Sequence, residues 1–123
     1  MTKGIGIDIT AVERMAKRIE KPEFVNLVFT ENEIAYCQSK KHKAQHFAAR
    51  FAAKEAYMKA LGLGWTSDSD FKEIEITNNE VGQPSVQLFG ETLAYYEKQK
   101  WKTIFVSLSH TKTLATAMVV IDG

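Results

Sequence analysis

Two carboxylates and one amine are the residues of this chain best suited to chemistry. Asp8 ends the stretch Gly4-Ile-Gly-Ile-Asp8. Glu55 and Lys59 lie four apart in Phe47-Ala-Ala-Arg-Phe-Ala-Ala-Lys-Glu-Ala-Tyr-Met-Lys-Ala-Leu-Gly62. On a helix that spacing gives a shared face, and a plain ion pair there contributes about 0.2–0.5 kcal/mol. A sharper reading holds Glu55 and Lys59 on a rigid element for catalysis. Asp8 and Glu55, carboxylates from separate elements with no Cys or His needed, suit Mg²⁺. That ion keeps several waters and takes substrate phosphates as further ligands. Lys59 can then neutralise or protonate a leaving phosphate. Together these residues describe phosphoryl-type transfer from a diphosphate donor.

Ser109 and His110 stand at the end of a strand-like run, where free backbone N–H groups can receive phosphate. A turn histidine touching water is the plainer reading of His110. Ser107, Ser109 and His110 also suggest a hydrolase, but no G-x-S-x-G elbow is present. Nucleotide templates fail: G-x-x-x-x-G-K-[ST] is absent, and Gly4-x-Gly6 lacks the third glycine of a dinucleotide fingerprint. His42 and His46 have no third ligand close in sequence, so they read as solvated. Cys37 reads as a small helix residue.

The elements that must position these residues follow from periodicity. Gly4–Ile9 alternates as a strand, with Ile5, Ile7 and Ile9 on one face and Gly4, Gly6 and Asp8 on the other. The glycines mark a close approach by another backbone or a ligand. Thr10 and Glu13 form a capping box, opening a helix on which Arg14, Lys17, Arg18 and Lys21 make one stripe. That stripe is either a solvated face or a docking surface for an acidic partner. Val12, Met15 and Ile19 turn inward. Pro22–Val28 is helical, and Thr30-Glu-Asn-Glu33 is a second capping box, for a helix to about Lys40. Lys40-Lys-His-Lys43 links it to the long helix, which is apolar nearly all round and so is buried. Arg50 and Lys54 on that helix then need partners. Gly62 and Gly64 stop it, and Trp65–Asp70 is a loop. Phe71–Thr77 and Ser85–Leu88 read as antiparallel strands around the turn Asn78–Pro84. Gly90–Lys100 reads as a helix, with Leu93 and Tyr96 inward. Thr103–Ser109 and Leu114–Ile121 form a hairpin through His110-Thr-Lys-Thr113.

A chain of 123 residues with 45% hydrophobic and 25% charged residues fits one soluble domain spanning 1–123. The net charge of +1 gives no global pull toward nucleic acid or membrane. A single cysteine, no signal-like leader and no membrane-length run suit the cytoplasm. So small a chain has little room for a deep pocket, which favours a site shared between subunits.

Two signatures carry a family resemblance. Gly6-Ile-Asp8-Ile-Thr-Ala-Val-Glu-Arg14 resembles the first signature of the holo-acyl-carrier-protein synthases, the small 4′-phosphopantetheinyl transferases. Phe51-Ala-Ala-Lys54-Glu55-Ala-Tyr-Met-Lys59 resembles the second, F-x-x-K-E-x-x-x-K. Gly82-Gln-Pro84 is similar to the family's G-x-P turn, and Val106-Ser-Leu-Ser-His110 to its late strand. The likeness runs from residue 4 to about residue 121. Tyr57 and Trp65 are departures that touch no proposed ligand.

The resemblance implies an α+β fold, a curved antiparallel sheet wrapped by a long helix, assembled as a homotrimer with active sites between subunits. It implies transfer of 4′-phosphopantetheine from coenzyme A to a serine of apo acyl-carrier protein, releasing adenosine 3′,5′-bisphosphate. Asp8 and Glu55 would hold Mg²⁺ and Lys59 would meet the leaving bisphosphate. A metal-bound water or a carboxylate would deprotonate the serine. Arg50, Ser109 and His110 would face nucleotide phosphates, and Gly82 and Pro84 would shape the adenine side. Arg14, Lys17, Arg18 and Lys21 would dock the acidic carrier. A non-catalytic module binding an acidic protein is the competing reading.

Overall fold

The computed structural model describes residues 1–62 and 68–123. In chain order these form β1 (Thr2–Ala11), α1 (Val12–Arg18), α2 (Pro22–Val28), α3 (Glu31–Gln38) and α4 (Lys43–Ala60). A 3-10 helix (Asp68–Glu73), β2 (Ile74–Asn78), β3 (Pro84–Leu88), α5 (Gly90–Lys98), β4 (Thr103–His110) and β5 (Leu114–Asp122) complete it. The fold is α+β, as the resemblance implies. The described residues form two antiparallel sheets, a three-stranded one in the order β1-β5-β4 and the hairpin β2-β3. The β4–β5 hairpin and the β2–β3 pairing match expectation.

Helix α4 organises the core. Phe47, Ala48, Ala52, Ala53, Ala56 and Tyr57 are wholly buried on it. One face of the sheet meets α4 through Ala115, Ala117, Val119 and Ile121 of β5. β1 presents Gly4 and Gly6 on that side. A Cβ at Gly6 would collide with the Ala56 carbonyl oxygen, and one at Gly4 with that of Ala60. Backbone meets backbone there, so only glycine fits. The opposite face carries the isoleucines: Ile5, Ile7 and Ile9 are 62%, 61% and 62% exposed. The ladder aligns Ile5 with Val120 and Phe105, and Ile7 with Met118 and Ser107.

The charge buried on α4 is satisfied. Lys54 is fully buried and pairs with Glu33 at 2.7 Å. It also donates to the carbonyls of Phe71 and Ile74, each at 2.7 Å. All three ammonium protons therefore have acceptors. Glu33 closes the predicted capping box with Thr30 and also accepts from the Ile76 N–H at 2.8 Å. One carboxylate thus ties α3, α4 and β2 together.

Several expectations need correction. Thr10 belongs to β1 and does not cap α1, whose N-cap is Ala11. Instead the Thr10 hydroxyl donates to Asp8 Oδ2 at 3.2 Å. Helix α1 ends at Arg18, and Lys21 is the N-cap of α2, so the basic stripe breaks before its last member. Phe71 lies in the 3-10 helix rather than in a strand, its carbonyl held by Lys54. α4 begins at Lys43 and α5 stops at Lys98. The stop assigned to Gly64, and residues 65–67 of the expected loop, lie outside the described residues, while 68–70 belong to the 3-10 helix. Gly62 does end α4, at φ 71°.

Candidate active site

Asp8 projects from the glycine face of β1 toward α4, with its side chain only 15% exposed. Lys59 donates to Asp8 Oδ1 at 3.0 Å and to the Ile7 carbonyl at 3.0 Å. The Glu55–Lys59 spacing therefore does not serve the plain helical ion pair, the alternative reading, because acceptors on β1 take the ammonium. Thr10 and Lys59 hold one Asp8 oxygen each. Glu55 is half-buried one turn before Lys59. Burial raises its pKa above the ordinary carboxylate value, and the Asp8 charge raises it further, against Lys59 and Arg18. Both acids line a cleft of about 230 Å³ with Thr10, Arg14, Arg18 and Phe51.

Two anions opposing each other beside a cleft make a place where a cation is favoured. Among the described residues no group of three His, Cys, Asp or Glu side chains could cage a metal. The two carboxylates, Asp8 and Glu55, suit only an oxygen-seeking ion such as Mg²⁺ that fills the rest of its shell with water and phosphate. Arg18 lies 5.6 Å from the Phe24 ring centre and 5.7 Å from that of Phe51. It forms the wall between the acidic cleft and an apolar groove lined by Phe24, Leu27 and Val28. Arg14 lines the cleft too, whereas Lys17 and Lys21 are exposed beyond it.

The residues expected to face nucleotide lie away from this cleft and do not all meet within one chain. Arg50 is 2% exposed. It donates to Asn78 Oδ1 and lies 3.9 Å from the Tyr36 ring centre, and its Nε has no hydrogen-bond partner among the described residues. Asn78 pairs in register with Pro84 and donates to the Gly82 carbonyl at 2.9 Å. Gly82 has φ 85°, as its turn requires. Arg50, Gly82 and Pro84 thus form one unit through Asn78. Ser109 aligns with Thr116 and Ile9 on the isoleucine face. His110, at the exposed end of β4, packs its ring 5.5 Å from that of His46. Within one chain, Ser109 and Asp8 lie on opposite faces of the sheet.

Residues 4–118 match the model of the 4′-phosphopantetheinyl transferase superfamily. The chain belongs to that superfamily. Over 125 residues it is 40% identical to a holo-[acyl-carrier-protein] synthase of Syntrophus aciditrophicus, covering 100% of this chain and 98% of the relative. The crystal structure of holo-[acyl-carrier-protein] synthase from Neisseria meningitidis superposes with a TM-score of 0.90 at 27% identity, covering 100% of both chains. A Bacillus anthracis holo-(acyl-carrier-protein) synthase in complex with CoA (3′,5′-ADP) gives a TM-score of 0.82 at 34% identity, covering 100% of this chain and 98% of the other.

Reading this transferase chain from its sequence misses four contributors. Thr10 orients Asp8, and Asn78 joins Arg50 to the Gly82 turn. Tyr36 covers Arg50. His46, expected to be solvated, is half-buried between Tyr36 and His110. The i, i+4 spacing of His46 and Arg50 on α4 is the signal that could have found it.

Proposed function

We propose that this chain is a holo-acyl-carrier-protein synthase, moving 4′-phosphopantetheine from coenzyme A to a serine of apo acyl-carrier protein. The observation that carries this is Asp8 and Glu55 lining one cleft with Lys59 bonded to Asp8, in a chain matched to the superfamily over residues 4–118. Asp8 and Glu55 would hold Mg²⁺, which when bound would offset the negative charge of the coenzyme A diphosphate. The attacking serine oxygen bonds to the β-phosphorus. The bond from that phosphorus to the bridging oxygen of the α-phosphate breaks, and the serine proton passes to a base. Lys59, more than half exposed, is free to exchange Asp8 for the departing bisphosphate. Arg50 and His110 serve the nucleotide phosphates, with Gly82 and Pro84 at the adenine side, while Ser109, on the opposite face of the sheet, serves the phosphates of a neighbouring copy.

Arg14 and Arg18 at the cleft, with Lys17 and Lys21 beyond, give an acidic carrier a complementary surface. The active assembly is a homotrimer. The support is the outer sheet face, where Ile5, Ile7, Ile9, Phe105 and Met118 are exposed together. Ser109 lies on that same face, so a neighbouring copy would meet it. No helix among the described residues is long and apolar enough to cross a membrane. The reading places the reaction in the cytoplasm.

The test is to incubate the protein with coenzyme A, Mg²⁺ and an apo carrier protein and weigh the carrier. A gain of one phosphopantetheine is the expected result; no gain with several carriers would overturn the proposal. Sedimentation of the free protein checks the trimer.

A further inference from the structure

His46 has no part in the reading above, yet it sits between residues that do. It lies on α4 one turn before Arg50. Its ring packs edge-on against His110 of β4 at 5.5 Å and against Tyr36 of α3 at 5.9 Å. Lys40, just past the end of α3, lies 4.6 Å from the same Tyr36 ring, and Arg50 lies 3.9 Å from it. Among the described residues the charged groups that weigh on His46 are basic: His110 from β4, Arg50 on its own helix, Lys40 and His42 from the link before it. Burial first, and these bases after it, hold its pKa below the ordinary histidine value. Beside it, the Nε of the almost fully buried Arg50 has no hydrogen-bond partner among the described residues. A half-buried concentration of positive charge with an unmatched donor is built for an anion.

We propose that His46 is a positioning residue for the phosphate end of the nucleotide: it fixes the His110 ring edge-on and gains a proton when a phosphate group settles beside Arg50. This rests on the coenzyme A reading and adds a role that the shared motifs do not contain. Without ligand, neighbouring bases oppose a charge on His46. An incoming phosphate reverses the local potential, so binding draws one proton from water onto the imidazole. Affinity then carries a proton-linked component that fades as pH rises.

Isothermal titration of the intact protein with coenzyme A, at about pH 6 and about pH 8, tests this. The wild type and His46→Phe are compared in buffers of different ionisation heat. Phenylalanine keeps the ring contacts and removes the proton. At the lower pH wild type should bind about tenfold more tightly than the variant, as one lost charge-assisted contact predicts, and the two should converge at the higher pH. Proton uptake on binding should shrink in the variant. Imidazole NMR adds an independent readout: His110→Asn should raise the titration midpoint of His46 by removing an opposing charge. Coenzyme A binding whose affinity, pH profile and proton uptake are unmoved in His46→Phe overturns the inference alone. Wild-type protein that fails to bind coenzyme A overturns the coenzyme A reading and the inference with it.

Discussion

Helix α4 carries two lysine–carboxylate pairs five positions apart, and they differ in what they leave available. Lys54 and Glu33 are both fully buried, 2.7 Å apart, with every lysine proton accepted. Lys59 and Asp8 are 3.0 Å apart, with Lys59 55% exposed and beside a cleft. The first pair is closed to any newcomer and acts as a strut. The second keeps hydration and spare hydrogen-bonding capacity, so it can trade partners. The same two side-chain chemistries are divided by burial alone between a pair that is closed and, on the proposed function, a pair that reacts.

The largest expected effect breaks the closed pair. Lys54→Met strands the Glu33 charge in the core and should cost about 3–5 kcal/mol of stability, measured by urea unfolding. Asp8→Asn addresses the open pair. It should lower turnover by about a hundred- to a thousandfold while leaving the urea midpoint close to wild type; a collapse in stability instead would make both pairs struts. Lys59→Met sharpens the contrast further. Its exposed pair should contribute less than about 1 kcal/mol to folding, although transfer to the carrier slows.

The smallest effect is a matter of pH. The folded-state pKa of Glu55 is raised, so between the usual carboxylate value and the raised one the native state binds more protons than the unfolded chain. Its contribution is present at low pH and lost as pH rises through that window. Glu55→Gln should therefore raise the urea midpoint slightly at neutral pH, with the gain gone in acid. Mg²⁺ should raise the wild-type melting temperature and leave that of Glu55→Gln unmoved.

Much of this was legible in the sequence because local rules were strong. The alanine-rich α4, the Thr30–Glu33 capping box and the alternating strands each agree with their surroundings. The glycine face of β1 was recognisable as a close approach, although not the partner that makes it. What escaped was non-local. Glu73 caps α5 by accepting from the N–H of Thr92 at 3.1 Å and its hydroxyl at 2.7 Å, a link no window of sequence contains. Thr10 matched a capping pattern, yet β1 extends through it because its strand ladder to β5 continues to Ala11. Lys59 chose Asp8 over Glu55 because β1 lies across the helix, which i, i+4 arithmetic cannot know.

The contact between Gly6 and the Ala56 carbonyl sits two residues before Asp8 and one after Glu55. It therefore works as a gauge block, setting the gap between the two acids by the thickness of bare main chain. A single methyl group inserted there would lever strand from helix and spread the carboxylates, disabling the cleft without altering one polar atom.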